Sequence, residues 1–300
     1  MIDGERPGRV ALVVHPTRDV ATALTTLTDW AIDHGVELVQ LPVDGGARRE
    51  LAPLGTLEGG DLVVALGGDG TVLSALRAAA ATSAPVLGVA CGSLGALSAV
   101  VAEKLTDALE RVRTGDFTAR PLPALAIRAS GATDDWAVND FVVVRGGPGQ
   151  MVAELAVDGE LYVRLAGDGF IVATPAGSSG YSMAAGGPLL TAPTSAFVCT
   201  PLAMHGGSAP PLVVPGRATV TIDVQQSYAG FDVEIDGHNR PLEARRFRLT
   251  LQEDKVNLVT FSPSGQGLGR LRERGLISDS PRILARDQRG VAPRTPTPDA

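Results

Sequence analysis

The first third of the chain passes repeatedly from short apolar runs into helical patterns. "RVALVV" (9–14), "VELVQL" (36–41), "DLVVAL" (61–66) and "APVLGVA" (84–90) read as strands. Between and after them, "DVATALTTLTDWAIDHG" (19–35), "TVLSALRAAAA" (71–81) and "EKLTDALERVRTG" (103–115) read as helices. Asp19 is placed to cap the first helix and Gly35 to end it. Strands without polar alternation are buried on both faces, and helices between them supply the cover. The pattern predicts an α/β domain with a parallel sheet.

The character changes near "TGDFTARPLPAL" (114–125). Beyond it lie segments of period two, among them "VAELAVDGELYVRL", "ATVTIDV", "FDVEIDG" and "RRFRLTLQEDKVNLVTF". Asp158-Gly159 and Asp236-Gly237 are tight-turn dipeptides between such runs. An all-β, sandwich-like domain is expected there. The division is residues 1–118 for the α/β domain and 119–261 for the β-rich one. Residues 262–285 are expected to return to the first domain, with a helix over 267–285. Residues 286–300 are polar and proline-rich, as in a disordered tail. No internal repeat is present.

Composition narrows the function. Aromatic residues make up only 4% of the 300, so the core is built from small aliphatic side chains. A net charge of −7 without a basic stripe argues against nucleic acid as a partner. Cys91 and Cys199 form no CxxC pair, which argues against a zinc cluster or a disulfide framework and suits a reducing cytoplasm. The N-terminus lacks a secretory pattern, and no segment approaches the ~20 apolar residues of a membrane span. A soluble cytoplasmic protein is expected.

Three constellations carry chemistry. In "LVVALGGDGTVLSAL" (62–76) a strand passes through Gly67, Gly68 and Gly70 to a helix N-terminus, where backbone N–H groups and the helix dipole favour an oxyanion. Asp69 and Thr71 complete the turn. A carboxylate beside a phosphate cradle fits an attacking hydroxyl that must lose its proton, or a Mg²⁺ that bridges phosphates. A plain turn with Asp69 capping the helix is the other reading. The loop is neither a Walker A motif nor a dinucleotide fingerprint. In "WAVNDFVVV" (136–144) Asn139-Asp140 interrupts an apolar run; these groups suit the hydroxyls of a ribose, or an ordinary turn between strands. In "GDGFIVATPAGSSGYSMAAGGPLL" (167–190) Asp168 and a strand precede a run of small hydroxylic residues that suits a flat or sugar-like ligand. His15, His34, His205 and His238 show no ligand spacing and read as structural or solvent-facing, so no metal-ligating residues are assigned.

Taken in order, the three blocks resemble the NAD kinase family, which carries GGDGT, then Asn-Glu, then DG followed by TPTGSTAY and SAGGP. Here they stand as Gly67–Thr71, Asn139-Asp140, Asp168-Gly169 and "TPAGSSGYSMAAGGP" (174–188). "VLGVACGSLGALS" (86–98) and "TPLAMHGGSAPPLVV" (200–214) are similar to two further family segments. The resemblance spans residues 8 to 275. It implies an α/β domain and a β-sandwich-like domain with the site between them, in a homo-oligomer, dimer or tetramer. It implies transfer of phosphate from ATP, or polyphosphate, to the 2′-hydroxyl of the adenosine ribose of NAD, with a divalent metal such as Mg²⁺, giving NADP. Asp69 would activate that hydroxyl, with Gly67, Gly68, Gly70 and Thr71 on the donor phosphates. Asn139, Asp140, Asp168, Ala176, Ser179, Gly180, Tyr181 and Ala184 would form the NAD pocket. The chain departs from the family pattern at Ala90, Ala96, Asp140, Ala176, Ser179, Gly180 and Pro210. Those departures leave two alternatives, a non-catalytic dinucleotide-binding paralogue and a kinase for another hydroxylated acceptor such as a lipid or nucleoside.

Overall fold

The computed structural model describes residues 7–42, 49–131, 133–191, 193–241, 244–261 and 268–287. The α/β half comprises β1 (Arg9–Val14), α1 (Ala21–His34), β2 (Glu37–Gln40), β3 (Leu62–Gly67), α2 (Asp69–Ala79), β4 (Pro85–Ala90), β5 (Val100–Val101) and α3 (Leu105–Arg113). β2, β1, β3 and β4 lie side by side in that order, all parallel. The expected cover on both faces is present. Val10, Leu12, Val14, Val64 and Leu66 pack with Leu27 and Trp30 of α1 and Leu105 and Leu109 of α3. Ala11, Val13, Val63 and Ala65 pack with Val72, Leu73 and Leu76 of α2 on the other face. Alternate residues of each strand therefore serve different helices, which is why the runs carry no polar alternation. Gly35 ends α1 in the left-handed conformation, at φ 64°.

The β half follows as β6 (Thr118–Ala129), β7 (Asp135–Ala137), β8 (Asp140–Arg145), β9 (Met151–Val157), β10 (Glu160–Gly167), β11 (Gly169–Ala173), α4 (Tyr181–Ala184), β12 (Ala196–Leu202), β13 (Leu212–Pro215), β14 (Thr219–Ser227), β15 (Phe231–Ile235), β16 (His238–Arg240) and β17 (Arg246–Thr260). One sheet runs β13-β12-β11-β8-β15-β16; the other includes β10, β9, β14 and β17, with β6 against β17 and β7 against β6. All of these pairings are antiparallel. Phe141, Phe170, Phe197 and Phe247 fill the space between the sheets, fully buried. Phe141 and Phe247 meet with ring centroids 5.2 Å apart. Both expected tight turns form, with Asp158 and Asp236 at positive φ beside Gly159 and Gly237.

β17 serves both halves. Its first residues pair with β14, while Asn257 and Leu258 pair in parallel with Pro85 and Val86 of β4. β6 accompanies it along almost its whole length, with an irregularity between Gln252 and Val256.

Residues 268–287 form a unit of their own. It holds two short helices, α5 (Leu268–Glu273) and α6 (Pro281–Asp287), where the sequence suggested one helix over 267–285. The intervening Gly275 takes φ 72° and Pro281 starts a new helix, which accounts for the division. α6 takes in Arg286 and Asp287, the first two residues of the expected tail; residues 262–267 and 288–300 lie outside the described ones.

Candidate active site

The carboxyl ends of parallel strands are where loops gather in an open α/β sheet. Here β3 ends at Gly67, Gly68 is extended at φ −118°, and α2 begins at Asp69. Gly67 pairs with Ala90, so the segment after β4 runs beside this turn. Its backbone reaches the carboxylate. Asp69 Oδ2 accepts the Ala96 N–H at 2.8 Å, and Oδ1 accepts the Leu97 N–H at 2.9 Å. A Cβ on Gly95 would stand 2.0 Å from Asp69 Oδ1, so only glycine allows this approach. Each carboxylate oxygen keeps a second lone pair. Ala96 acts here through its backbone, and its small side chain leaves the bond intact.

The motif divides in two. Thr71 is buried, and a Cβ on Gly67 would meet its Oγ1 at 2.2 Å, so this pair packs the turn. Gly70 is exposed with open space around its Cα. Gly70 is thus open to a ligand, while Gly68 and Asp69 are half-buried beside it.

Sequence reasoning missed a cation beside them. After β1, His15 Nδ1 accepts the N–H groups of Thr17 and Arg18 at 3.2 and 3.0 Å, which builds a turn out of "HPTR". The turn carries the exposed Arg18 guanidinium toward both glycine loops. Cβ atoms on Gly68 and Gly92 would lie 3.2 and 3.4 Å from Arg18 Nη1. The signal was available: a cation just after a strand in the same parallel sheet ends on the same side as the glycine turn.

The second centre lies where β7 turns into β8. Asp236 Oδ2 accepts the Val138 N–H at 3.0 Å, and Oδ1 accepts those of Asn139 and Asp140 at 2.6 and 3.3 Å. One carboxylate from the β15–β16 turn therefore holds three consecutive residues. Asn139-Asp140 is thus a turn between strands, one of the two readings that the sequence offered. Asn139 Oδ1 is shielded and accepts no hydrogen bond from the described residues, so an incoming hydroxyl donor would satisfy it. Asp140 is buried, and its carboxyl is pushed up to about 7, first by burial and then by the charges of Asp236 and Glu234. Burial also raises Asp236, opposed by its three N–H donors and by Arg77.

The Thr-Pro segment closes on this corner. Thr174 donates its N–H to Asn139 O at 2.9 Å and its hydroxyl to Val138 O at 2.6 Å. A Cβ on Gly177 would lie 2.0 Å from Asn139 O. Ser178 and Ser182 are buried and occupied internally: Ser178 with Pro175 O and the Leu190 N–H, Ser182 with Thr200. Ala176 and Ser179 are half-buried, while Gly180, Tyr181 and Ala184 are exposed. The inward hydroxyls shape the turn, and the expected pocket residues are the ones left outside it.

Asp168 is not brought to the others. β11 pairs with β8 so that Ala173 faces Asp140 and Gly169 faces Val144. Asp168 therefore sits just beyond the far end of β11, roughly 17 Å of strand from Ala173, where Arg145 Nε donates to it at 2.6 Å. The histidines carry structural bonds, as expected. His34 stacks on Trp30, and Glu110, which accepts the Trp30 indole N–H, is held below its ordinary range chiefly by that bond.

A parallel α/β lobe with a glycine turn and a carboxylate at its strand ends, continuous with an antiparallel sandwich that carries a polar corner, is the architecture of a two-lobed small-molecule kinase. Residues 10–117 match the model of the ATP-NAD kinase N-terminal domain, and residues 138–256 that of the ATP-NAD kinase C-terminal domain. The chain belongs to the NAD kinase family. The NAD kinase of Geotalea daltonii is 33% identical over 236 residues, covering 75% of this chain and 81% of that protein. Among solved structures, yeast NADH kinase complexed with NADH superposes with a TM-score of 0.74 at 18% identity, over 93% of this chain and 90% of that one. The Archaeoglobus fulgidus NAD kinase in complex with ATP gives 0.69 at 22% identity, over 89% and 98%. At those identities the two structures establish the fold.

Proposed function

We propose that this chain transfers the γ-phosphate of ATP to the 2′-hydroxyl of the adenosine ribose of NAD, giving NADP. The observation that carries the reading is the Asp69 carboxylate, fixed at the first turn of α2 by two backbone donors, with open space at Gly70 and the Arg18 guanidinium beside Gly68. In the reaction, Asp69 accepts the proton of the attacking hydroxyl, while the N–H groups of the turn and Arg18 carry the charge of the donor phosphates. Asn139 Oδ1 takes a ribose hydroxyl, beside Asp140 and the outer residues Ala176, Ser179, Gly180, Tyr181 and Ala184.

A divalent ion in such reactions is held by one or two carboxylates together with substrate phosphates. Among the described residues no group of three or more His, Cys, Asp or Glu is set to hold an ion. That fits an ion that arrives with ATP, with Asp69 as its protein ligand, and its chemistry would be neutralisation of phosphate charge. We further assign a cytoplasmic homo-oligomer. Two unpaired thiols suit a reducing compartment, and the exposed Leu161, Val213 and Tyr228 offer apolar contact area. No described helix is long and apolar enough to cross a membrane.

The test is product analysis with ATP, Mg²⁺ and NAD, followed by donor and acceptor panels. NADP formed by wild type and lost in Asp69→Asn supports the assignment. NAD binding by calorimetry without turnover on any donor identifies a binding paralogue instead. Phosphorylation of a different hydroxylated acceptor keeps the role of Asp69 and replaces the substrate.

A further inference from the structure

Helix α2 begins at Asp69 and carries Arg77 in its last turn, eight residues or about 12 Å along the axis. Every arm of Arg77 ends on the approach to the Asn139-Asp140 corner. One guanidinium nitrogen donates to Trp136 O and lies 3.6 Å from Asp236 Oδ2; another donates to the Asp135 carboxylate. The guanidinium also stacks on the Trp136 ring, 4.7 Å from its centroid. Lys255 Nζ also lies over the Trp136 ring, 5.2 Å from its centroid, and Asp135 has Arg240 at 3.6 Å. β7 runs directly from these residues into Val138, Asn139 and Asp140, whose N–H groups Asp236 gathers.

This arrangement exceeds what folding of the helix requires. The hydrophobic face of α2 is already secured by Val72, Leu73, Ala75, Leu76 and Ala79. Arg77 adds a polar link from the opposite end of the helix to the backbone that presents Asn139. A guanidinium fork fixes two acceptors and a ring plane at once, which a point charge on a flexible stem does not. Displacements of about 1 Å in a reacting pair can cost a hundredfold in rate.

Resting on the kinase reading above, we propose that Arg77 is a positioning residue for the phosphoryl transfer. It fixes the acceptor corner relative to the turn that carries Asp69, so that the NAD hydroxyl and the carboxylate keep one register. Arg77 itself touches neither substrate.

The experiment compares wild type, Arg77→Met and Arg77→Lys below their melting temperatures, reading kcat, KM for NAD, KM for ATP and the calorimetric Kd for NAD. Arg77→Met should weaken NAD about tenfold in KM and Kd and lower kcat, with KM for ATP within about twofold, because the corner moves while the donor site stays. Arg77→Lys, which keeps the charge and the ring contact, should recover part of the loss. NAD affinity within twofold of wild type in folded Arg77→Met overturns the proposal, as do parallel changes in both substrates that follow melting temperature alone. If Arg77→Met fails to fold, Asp135→Asn serves in its place, with the same selective weakening of NAD expected and its absence overturning the idea. Wild type that binds NAD and forms NADP alongside an unaffected variant removes only the role of Arg77. Wild type that forms no NADP removes the kinase reading and this proposal with it.

Discussion

Asp69 Oδ1 accepts the backbone N–H of Leu97 at 2.9 Å, which ties the first turn of α2 to the segment that follows β4. The same carboxylate takes the Ala96 N–H with its other oxygen. It is therefore oriented before any substrate arrives, with one lone pair left on each oxygen. Replacing it with Asn keeps the shape but turns one oxygen into a donor that meets a backbone N–H. Asp69→Asn should lower kcat by about 10²–10⁴. It should also destabilise the fold by about 1–3 kcal/mol through the unpaired N–H. Initial rates of NADP formation and a urea titration measure the two effects; full turnover would remove Asp69 from the chemistry.

Among the described residues the Arg18 guanidinium makes one long bond, 3.4 Å to Cys91 O, which leaves its other donors for phosphate. Arg18→Ala should raise KM for ATP about tenfold or more, the loss of a charged hydrogen bond of about 1.5–3 kcal/mol. Its KM for NAD should stay within about twofold, and stability should barely change for so exposed a residue. Steady-state kinetics with each substrate varied in turn decides this.

Asp140 titrates near neutrality because it is buried beside Asp236 and Glu234. Its folded-state value lies above the ordinary carboxylate value of about 4. Its contribution to stability is therefore fully present below about pH 4, and it is lost as pH rises toward about 7. The melting temperature of wild type should fall relative to Asp140→Asn between pH 5 and pH 7.5. A constant difference across that range would show that Asp140 ionises as it does in water.

Gly177 lies against the carbonyl of Asn139, with no room for a methyl group. Gly177→Ala should push the corner outward, costing about 1–3 kcal/mol as overpacking does. KM for NAD should rise more than KM for ATP. Thermal unfolding and the ratio of the two KM values check it.

Much of the α/β half was legible because its strands are buried on both faces, so Val10 to Val14 and Leu62 to Leu66 announce themselves without alternation. The hairpin turns were legible because Asp158-Gly159 and Asp236-Gly237 supply the positive φ that such turns need. The second task of Asp236 was not. Nothing local in "DVEIDGH" says that its carboxylate will hold residues 138–140, since that depends on β15 pairing with β8. Arg77 and Arg18 were passed over for a similar reason: an arginine in a helix or after a strand looks solvated until its neighbours are known. The resemblance grouped Asp168 with Asn139-Asp140 in one pocket, whereas the strand register sets Asp168 at the other end of β11.

Asn257 Nδ2 donates to Ser83 O at 2.9 Å across 174 residues of sequence, beside the short parallel pairing of β17 with β4. The flank of the α/β sheet beside β4 is thus supplied by a strand that leaves the ribosome long after β4. Until that strand docks, the Pro85–Val86 end of β4 lacks its partner and is open to any extended chain nearby. Contacts so distant in sequence also form slowly. Residues 1–117 expressed alone should therefore self-associate through that edge, which size-exclusion chromatography of the fragment measures.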